Sequence, residues 1–162
     1  MPPHYRRKMT CLIYAVTFGS LTALPTFADP TFLENNINLT NNDSLNTLTI
    51  LQEPTSSGNT VRVTLSGQQN GAVSQSFQLR PTWFSDMQPG TIEQRGNGHT
   101  TELAVSGIGN LFAISQSGQS NRTTGQISGR ANQASVIQSG QANRVSFTQT
   151  GTNNTIAISQ SM

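Results

Sequence analysis

Over residues 96–162, apolar and polar residues alternate in short runs that recur every 11 residues. In one run Asn110, Phe112, Ile114 and Gln116 occupy every second position. Successive side chains of a β-strand point to opposite faces, so these four side chains would share one face. Each 11-residue unit therefore predicts one strand with a single apolar face.

The other units repeat this order and share three kinds of position. A glycine comes two residues after each Gln position: Gly96, Gly107, Gly118, Gly129, Gly140 and Gly151. Residues with side-chain amides lie at the two ends of the predicted strands: Gln94, Asn110, Gln116, Asn121, Asn132, Gln138, Asn143, Gln149, Asn154 and Gln160. Apolar residues lie between the Asn and Gln positions of the units: Phe112, Ile114, Val136, Val145, Phe147, Ile156 and Ile158. Glycine tolerates positive φ, so the four residues from Gln to the next Asn are expected to turn the chain.

One such strand buries too little apolar surface to be stable alone, so the units must pack against one another. Two consecutive units can fold as strand, turn and strand with their apolar faces opposed, and such pairs can stack about 4.7–4.8 Å apart. The sequence therefore predicts an all-β, amyloid-like, two-sheet β-solenoid. Its Asn and Gln side chains would hydrogen-bond to the same amide one turn further along. A buried amide without a partner costs about 1–3 kcal/mol, so this chemistry fixes the register.

Residues two units apart are assigned to the same sheet. One sheet then carries an unbroken Gln row, whereas the Gln row of the other is interrupted at Val105 and Ile127, and Gly125 interrupts its apolar row. We expect the first sheet to be the better template for adding another chain, and Gly125 to soften the second. Arg122 and Arg144 would stack on the outside, where they serve solubility or slow premature aggregation.

Upstream of the regular array, which we place at 88–162, the pattern is weaker. Residues 46–87 are interpreted as divergent repeats with glycines out of step, interrupted by an irregular insertion at 73–88 that contains Pro81 and Trp83. Proline is disfavoured inside a strand, so this insertion would close the end of the core or contact a partner. Residues 29–45 are interpreted as a flexible segment.

The first 28 residues have the organisation of a secretory signal peptide. Arg6, Arg7 and Lys8 precede an apolar run at 11–24, and Ala28 is the expected last residue removed. An uncleaved or tail-anchored segment is the alternative, although the run is short for a membrane span. The only cysteine, Cys11, lies in this leader, so a processed chain would form neither a disulfide nor a thiolate metal site.

Composition and charge narrow the range of possible functions further. Only 33% of the 162 residues are hydrophobic and 10% are charged, against about 45–50% apolar with glycine included and about 25% charged in ordinary globular domains. Without the leader, six arginines face seven acidic residues, a net charge of −1. No clustered basic patch remains, so nucleic acid is not an expected partner.

Candidate catalytic chemistry is sparse. His99 and Glu102 would point to opposite faces of a strand, and the chain has no lysine outside the leader and no nucleophile or phosphate-loop motif. We expect no enzymatic activity, no cofactor and no metal site. His99 is interpreted as a variant of the Asn position at the turn.

The segments 110–121 (NLFAISQSGQSN) and 132–143 (NQASVIQSGQAN) resemble the curlin repeat of bacterial curli. The resemblance covers about 88–162. It implies a secreted structural subunit of extracellular, cell-surface amyloid fibres (a fimbrium- or pilus-like material) that serve cell adhesion and biofilm matrix. It also implies as partners the chain itself, other curlin subunits, an outer-membrane curli secretion channel and accessory factors.

Two alternatives stay open. Curli contain a major fibre-forming subunit and a minor nucleating one, and both are built from such repeats. The unbroken C-terminal rows would propagate a fibre, while the irregular N-terminal side would cap or attach it. The second alternative is a monomeric β-solenoid adhesin, which would require capped ends and a regular outward row of residues.

Overall fold

The computed structural model describes residues 13–17, 35–43, 45–53, 55–72 and 87–162. All regular elements within these residues are strands, which are β1 Ile13–Thr17, β2 Asn36–Asn41, β3 Thr47–Gln52, β4 Thr60–Gln68, β5 Thr91–Asn97, β6 Thr100–Ile108, β7 Leu111–Gln119, β8 Arg122–Arg130, β9 Gln133–Gln141, β10 Arg144–Thr152 and β11 Thr155–Ser161. No helix in this described part is long and apolar enough to cross a membrane.

The strands alternate between two sheets as the chain winds. Sheet A has the order β1-β3-β5-β7-β9-β11, and sheet B has the order β10-β8-β6-β4-β2. All pairings from β2 to β11 are parallel. One coil of the solenoid is one strand of sheet B followed by one of sheet A, so β2 and β3 form the first coil and β10 and β11 the last. The predicted all-β two-sheet solenoid is confirmed.

The register of the sheets aligns the same repeat position in neighbouring coils. Gln116 lies opposite Gln138, Gly118 lies opposite Gly140, and the same offset of two sequence units recurs between β8 and β10. Because side chains alternate between the faces of each strand, this register stacks the inward apolar residues into columns between the sheets. The core therefore runs along the axis of the solenoid.

The inward apolar residues of the inner coils are almost completely buried. The core consists of Leu48, Ile50, Val61, Val63, Leu65, Ile92, Leu103, Val105, Phe112, Ile114, Ile127, Ala134, Val136, Val145 and Phe147. Four further residues, Ile37 and Leu39 of β2 and Ile156 and Ile158 of β11, pack against this core but are only partly buried. They belong to the first and last coils, where no further coil covers them.

The solenoid extends further toward the N-terminus than the sequence pattern indicates. Asn110 and Asn132 bond at a separation of 22 residues, but Asn70 and Asn110 bond at a separation of 40, so one coil contains 18 additional residues. Gly71 donates to the carbonyl of Asn110, and Gly90 donates to that of Phe112. The chain thus leaves the strand position after Gly71 and resumes it at Gly90.

This insertion explains why the upstream glycines are out of step in the sequence. Once the extra residues are allowed for, Gly67 lies opposite Gly107 in the register of β4 and β6. Residues 73–86, which include Pro81 and Trp83, lie outside the described residues, and so does most of the predicted leader.

Two details differ from the sequence-based expectation. The segment 29–45 was expected to be flexible, whereas Asn36–Asn41 forms β2 and pairs with β4, because its inward Ile37 and Leu39 continue the core columns. The turns are also shorter than four residues. The strands run past the glycines, and the chain reverses through positive φ at a glycine and again two residues later, as at Gly118 and Ser120.

The strand within the predicted leader lies at the edge of sheet A. Ile13–Thr17 pairs antiparallel with β3, and Ala15 lies opposite Thr49. The N-terminal edge of sheet A is therefore occupied in the full chain. The corresponding edge of sheet B, formed by β2, ends the order of that sheet.

Candidate functional site

A single row of glutamines, the Gln ladder, runs through all five coils of sheet A. Gln52 donates through Nε2 to Oε1 of Gln94 at 2.8 Å, and Gln94 donates to Gln116 at 3.0 Å. Gln116 donates to Gln138 at 2.9 Å, and Gln138 donates to Gln160 at 3.2 Å. Each amide therefore offers its donor toward the C-terminal end of the solenoid and its acceptor toward the N-terminal end.

Threonines of sheet B satisfy the remaining hydrogen-bonding capacity of these glutamines. The hydroxyl of Thr101 donates to Oε1 of Gln116 at 3.0 Å, and that of Thr123 donates to Oε1 of Gln138 at 2.9 Å. All four side chains are buried. Since an unpaired buried amide is costly, the Gln ladder is stable only where both the neighbouring coils and the facing threonines are in register.

Asparagines at the start of the sheet A strands form a second row with the opposite polarity. The backbone N–H of Asn110 donates to Oδ1 of Asn70 at 3.1 Å, that of Asn132 to Asn110 at 3.1 Å, and that of Asn154 to Asn132 at 3.0 Å. Each amide also donates back across its turn, as Nδ2 of Asn110 does to the Ser106 carbonyl at 3.0 Å. These side chains thus hold each turn and connect it to the next.

The asparagine row of sheet B includes His99. The backbone N–H of His99 donates to Oδ1 of Asn59 at 2.8 Å, and Nδ1 of His99 accepts from the backbone N–H of Asn121 at 3.2 Å. Its Nε2 lies 2.9 Å from the Arg95 carbonyl. These partners require a neutral ring that carries its proton on Nε2. The structure places His99 at the Asn position, where Nδ1 takes the role of Oδ1.

Burial is the main influence on the pKa of the His99 ring. Desolvation lowers the pKa of His99 below its ordinary value of 6.5, while hydrogen bonding with the Arg95 and Gly118 carbonyls acts in the opposite direction. The charged side chains nearby pair on the outer faces of the sheets, as Arg95 does with Glu93 and Arg122 with Glu102. The ring itself contacts neutral groups.

Gln149 has a different environment from the other predicted amides. It lies inward on β10, opposite Ile127, and is 3% exposed. Its Nε2 donates to the Gln133 carbonyl at 3.0 Å, but Oε1 has no hydrogen-bond partner within the described residues. Gln149 is therefore not part of an amide row in this chain.

The stacked glycines leave no space for a side chain. A Cβ on Gly107 would lie 1.9 Å from the carbonyl oxygen of Gly129, and one on Gly118 would lie 2.2 Å from that of Gly140. Gly151, in the last coil, meets only Nδ2 of Asn154 at 3.4 Å. The glycine positions thus allow the coils to approach closely, and at Gly151 the corresponding space is open.

Gly125 also has a packing role in the core. A Cβ there would lie 2.4 Å from Cζ of Phe147 and 2.9 Å from Cδ1 of Leu103. The ring of Phe147 therefore fills the space beside Gly125. The alternation of a large and a very small residue packs this column of the core.

Several residues of the rows were not identified by the sequence analysis as site residues. Asn46, Gln52, Asn59 and Asn70 lie in the first two coils, where the insertion hides the period. Leu111 and Ala113 lie on the outer face of β7, yet both are buried with Met87 packed against them. The signal for the first group was present, since Asn46, Leu48, Ile50 and Gln52 repeat the alternation of the later units.

Among the described residues, the rows end at the two ends of the solenoid in groups without a hydrogen-bond partner. At the C-terminal end the Gln ladder stops at Nε2 of Gln160, and the asparagine rows stop at Oδ1 of Asn143 and Asn154. At the N-terminal end the Gln ladder stops at Oε1 of Gln52. Strands β10 and β11 also present the unpaired backbone of edge strands. These ends are the candidate functional sites, because the same groups that join the coils are available there.

The fold and the rows define the class of protein, a parallel two-sheet β-solenoid built from Asn- and Gln-bearing repeats. Residues 129–161 match the family model described as the curlin associated repeat, which confirms the resemblance over that stretch. The curlin family consists of structural fibre subunits and is not an enzyme family. No curated protein and no solved structure matches the chain.

Proposed function

We propose that this chain is a secreted structural subunit of curli-type functional amyloid fibres, which it builds by edge-to-edge addition of strands. The observation that carries the proposal is the state of the two terminal coils. Within the part of the chain that the structure describes, their strand edges are unpaired except where β1 covers β3, and their amide rows stop at donors and acceptors without a partner. A further coil of the same kind would satisfy both.

Burial of the terminal apolar residues supports the same conclusion. Phe112 and Ile114 are 0% and 1% exposed, whereas Ile156 and Ile158 of the same two columns are only partly buried. Ile37 and Leu39 are likewise partly buried at the other end. Another coil on either end would remove this apolar surface from water, and such burial contributes about 25 cal/mol per Å².

The cellular part of the proposal rests on the resemblance to curlin repeats. It comprises a cleaved leader, export through an outer-membrane channel with accessory factors, and roles in adhesion and biofilm matrix. The partners would be further copies of the chain and other curlin subunits. The match at 129–161 supports these assignments.

The test is unseeded assembly of purified protein. We expect a lag, then fibres that bind thioflavin T and give a meridional reflection near 4.7–4.8 Å. Gln138→Ala should slow growth at least fivefold, because it leaves Gln116 and Gln160 without a shared partner. The matched control, Ser139→Ala, changes a neighbouring outward side chain. A stable monomer that never assembles would favour the adhesin instead.

One observation favours a nucleating or capping subunit as the second candidate. In the full chain β1 occupies the N-terminal edge of sheet A, while the C-terminal edge is open. A chain that keeps β1 would present open edges of both sheets at the C-terminal end only. Adding small amounts to a related fibre-forming subunit distinguishes the roles, because a nucleator shortens the lag of that subunit and a capping subunit reduces its fibre length.

A further inference from the structure

One patch on the outer face of sheet A is buried, although the outer face of a solenoid normally meets solvent. Leu111 and Ala113 point outward from β7 and are 2% and 0% exposed. Gln133 and Ser135 lie opposite them on β9 and are also buried. We call these four residues the outer patch. They lie on the side of the solenoid, in its third and fourth coils.

The same repeat positions are more open in other strands. In β8, an inner strand of sheet B, the corresponding Arg122 is exposed and Thr124 is half-buried. In sheet A itself, Thr155 and Ala157 of β11 continue the two columns of the outer patch, and both are exposed. Neighbouring strands lie in the plane of the sheet and do not cover its face. Other residues must therefore lie on top of the outer patch.

The residues that exclude solvent from the outer patch belong to this chain, because the structure consists of a single chain. Among the described residues, Met87 is the partly buried apolar residue that packs against Leu111 and Ala113. A fully buried residue usually touches about 6–12 others. One methionine cannot supply these contacts to four residues on two strands, so a further part of the chain must share the outer patch with Met87.

The chain on the N-terminal side of Met87 is fixed next to the outer patch. Gly71 donates its backbone N–H to the carbonyl of Asn110, and Gly90 donates to that of Phe112, both at the start of β7. The residues between these two glycines therefore leave the sheet and return to it directly beside β7.

The length of the chain at 73–86 is sufficient to complete the cover. These 14 residues reach at most about 46 Å when extended. The strands β7 and β9 are about 4.8 Å apart, so the segment can cross both and return. The other long stretches outside the described residues, 1–12 and 18–34, adjoin β1, which is three strands away from β7 in sheet A. Residues 73–86 are therefore the best-placed part of the chain.

The composition of 73–86 suits an apolar contact. Aromatic residues make up only 6% of the chain, yet this segment contains Phe77, Trp83 and Phe84. Each aromatic side chain can bury about 150–250 Å². Removing that area from water contributes about 25 cal/mol per Å², and an apolar surface on β7 is the natural place to bury it.

We propose that residues 73–86 pack across the outer patch and form an external apolar layer on one side of the solenoid. The segment then binds to the side of the molecule and leaves the open edges of β10 and β11 uncovered. It also shields Leu111 and Ala113 from contact with other molecules, since exposed apolar patches favour association. The inference concerns a different surface from the one used in the proposed function.

Tryptophan fluorescence of the full chain tests this contact, because Trp83 is the only tryptophan. In the folded chain we expect emission at shorter wavelength than in urea, and acrylamide quenching at least about threefold weaker. Leu111→Lys should move both values most of the way to those in urea, since a charge cannot stay buried under an apolar layer. Thr155→Lys, in the same outward column but exposed, is the control. Equal fluorescence in the two variants, with the β-structure retained, would overturn the proposal.

Thiol labelling is a second measurement that introduces no charge. In a Cys11→Ser background, Ala113→Cys and Ala157→Cys each place one thiol in the same outward column. We expect the Ala113→Cys thiol to react with a maleimide at least about tenfold more slowly, because labelling there requires local opening. When a Gly/Ser linker of equal length replaces 73–86, the two rates should become similar. Protection that persists in this variant would overturn the proposal, and protection lost on dilution would identify a second copy as the cover.

The outcomes separate this inference from the proposed function. Both measurements use protein whose circular dichroism shows β-structure, before or after assembly, because the outer patch lies on the side of the solenoid. A chain that protects Ala113→Cys but never forms fibres would contradict the proposed function and support this inference. Fibres in which Ala113→Cys and Ala157→Cys react equally fast would overturn this inference and leave the proposed function standing.

Discussion

The imidazole of His99 accepts the backbone N–H of Asn121 through Nδ1 at 3.2 Å, a bond that asparagine Oδ1 makes in the other coils. A proton on Nδ1 would place two donors against each other. The buried ring contacts carbonyl groups and this N–H, and its pKa is lowered by burial. The central coil is therefore held together by a group that must remain neutral.

We expect the stability of the solenoid to fall as pH decreases below 6.5. The unfolded chain takes up a proton near that pH, the folded chain only at lower pH, so protonation favours unfolding. Chemical denaturation at pH 7.5 and 5.5 measures the effect. His99→Asn is the control, and it should flatten the pH dependence over this range. An equal slope in both proteins would contradict the assignment.

Two glycines in neighbouring turns should respond differently to alanine. At Gly118 the φ is 102° and a Cβ would meet the Gly140 carbonyl oxygen at 2.2 Å. At Gly98 the φ is 68°, close to the left-handed region, and the nearest atom is Oγ of Ser120 at 3.3 Å. We expect Gly98→Ala to cost about 1 kcal/mol and Gly118→Ala more than about 3 kcal/mol of unfolding free energy.

Urea unfolding of the two glycine variants provides the comparison. If Gly118→Ala were as stable as Gly98→Ala, the close approach of the stacked turns would be wrong.

The contact between Gly125 and Phe147 predicts that a second substitution restores stability lost through the first. Gly125→Ala should lower the unfolding free energy by about 1–3 kcal/mol, because the new methyl group overlaps the aromatic ring. Adding Phe147→Leu makes room for that methyl group and should recover part of the loss. Phe147→Leu alone is the control, and it should destabilise the chain by leaving a gap beside Gly125. Strictly additive losses would show that the two residues do not pack together.

Removal of the residues before Asp29 should accelerate assembly. Ile13–Thr17 pairs with β3 and occupies the N-terminal edge of sheet A, so its loss exposes that edge. We expect a chain beginning at Asp29 to have a lag at least about threefold shorter than the full chain at equal concentration, since an exposed strand edge is a template for pairing. Thioflavin fluorescence measures the lag.

The matched control for this deletion keeps the length of the chain. Ala15→Pro removes a backbone donor from β1 and should weaken its pairing with β3. The full chain with this substitution should behave like the shortened one. If both retain the long lag, the edge of β3 does not limit assembly.

The sequence predicts the regular coils well because their information is local and periodic. Asn, Gln and Gly recur at fixed spacing, so the pairing of Gln116 with Gln138 follows from counting residues. The first two coils were only suggested, because the extra residues between Gly71 and Gly90 shift the count. A period cannot be read across an insertion when the residues on each side of it are few.

Other features depend on three-dimensional contacts that no spacing shows. Thr101 and Thr123 bond glutamines of the facing sheet, and this requires knowing how the two sheets lie against each other. The buried Oε1 of Gln149 is another case, since the sequence places Gln149 with the other amides. The spacing already places Val105 and Ile127 in its column, but it does not show that Oε1 is buried without a partner among the described residues.

The junction at Gly71 and Gly90 has a practical consequence for any fibre built from this chain. The backbone bonds to Asn110 and Phe112 are made by the two glycines themselves, so the coil is held on both sides of the residues between them. That coil is a natural position for displaying foreign sequence. In a fibre that stacks copies of this chain with one polarity, five coils per molecule would space such a cargo about every 24 Å along one side of the filament.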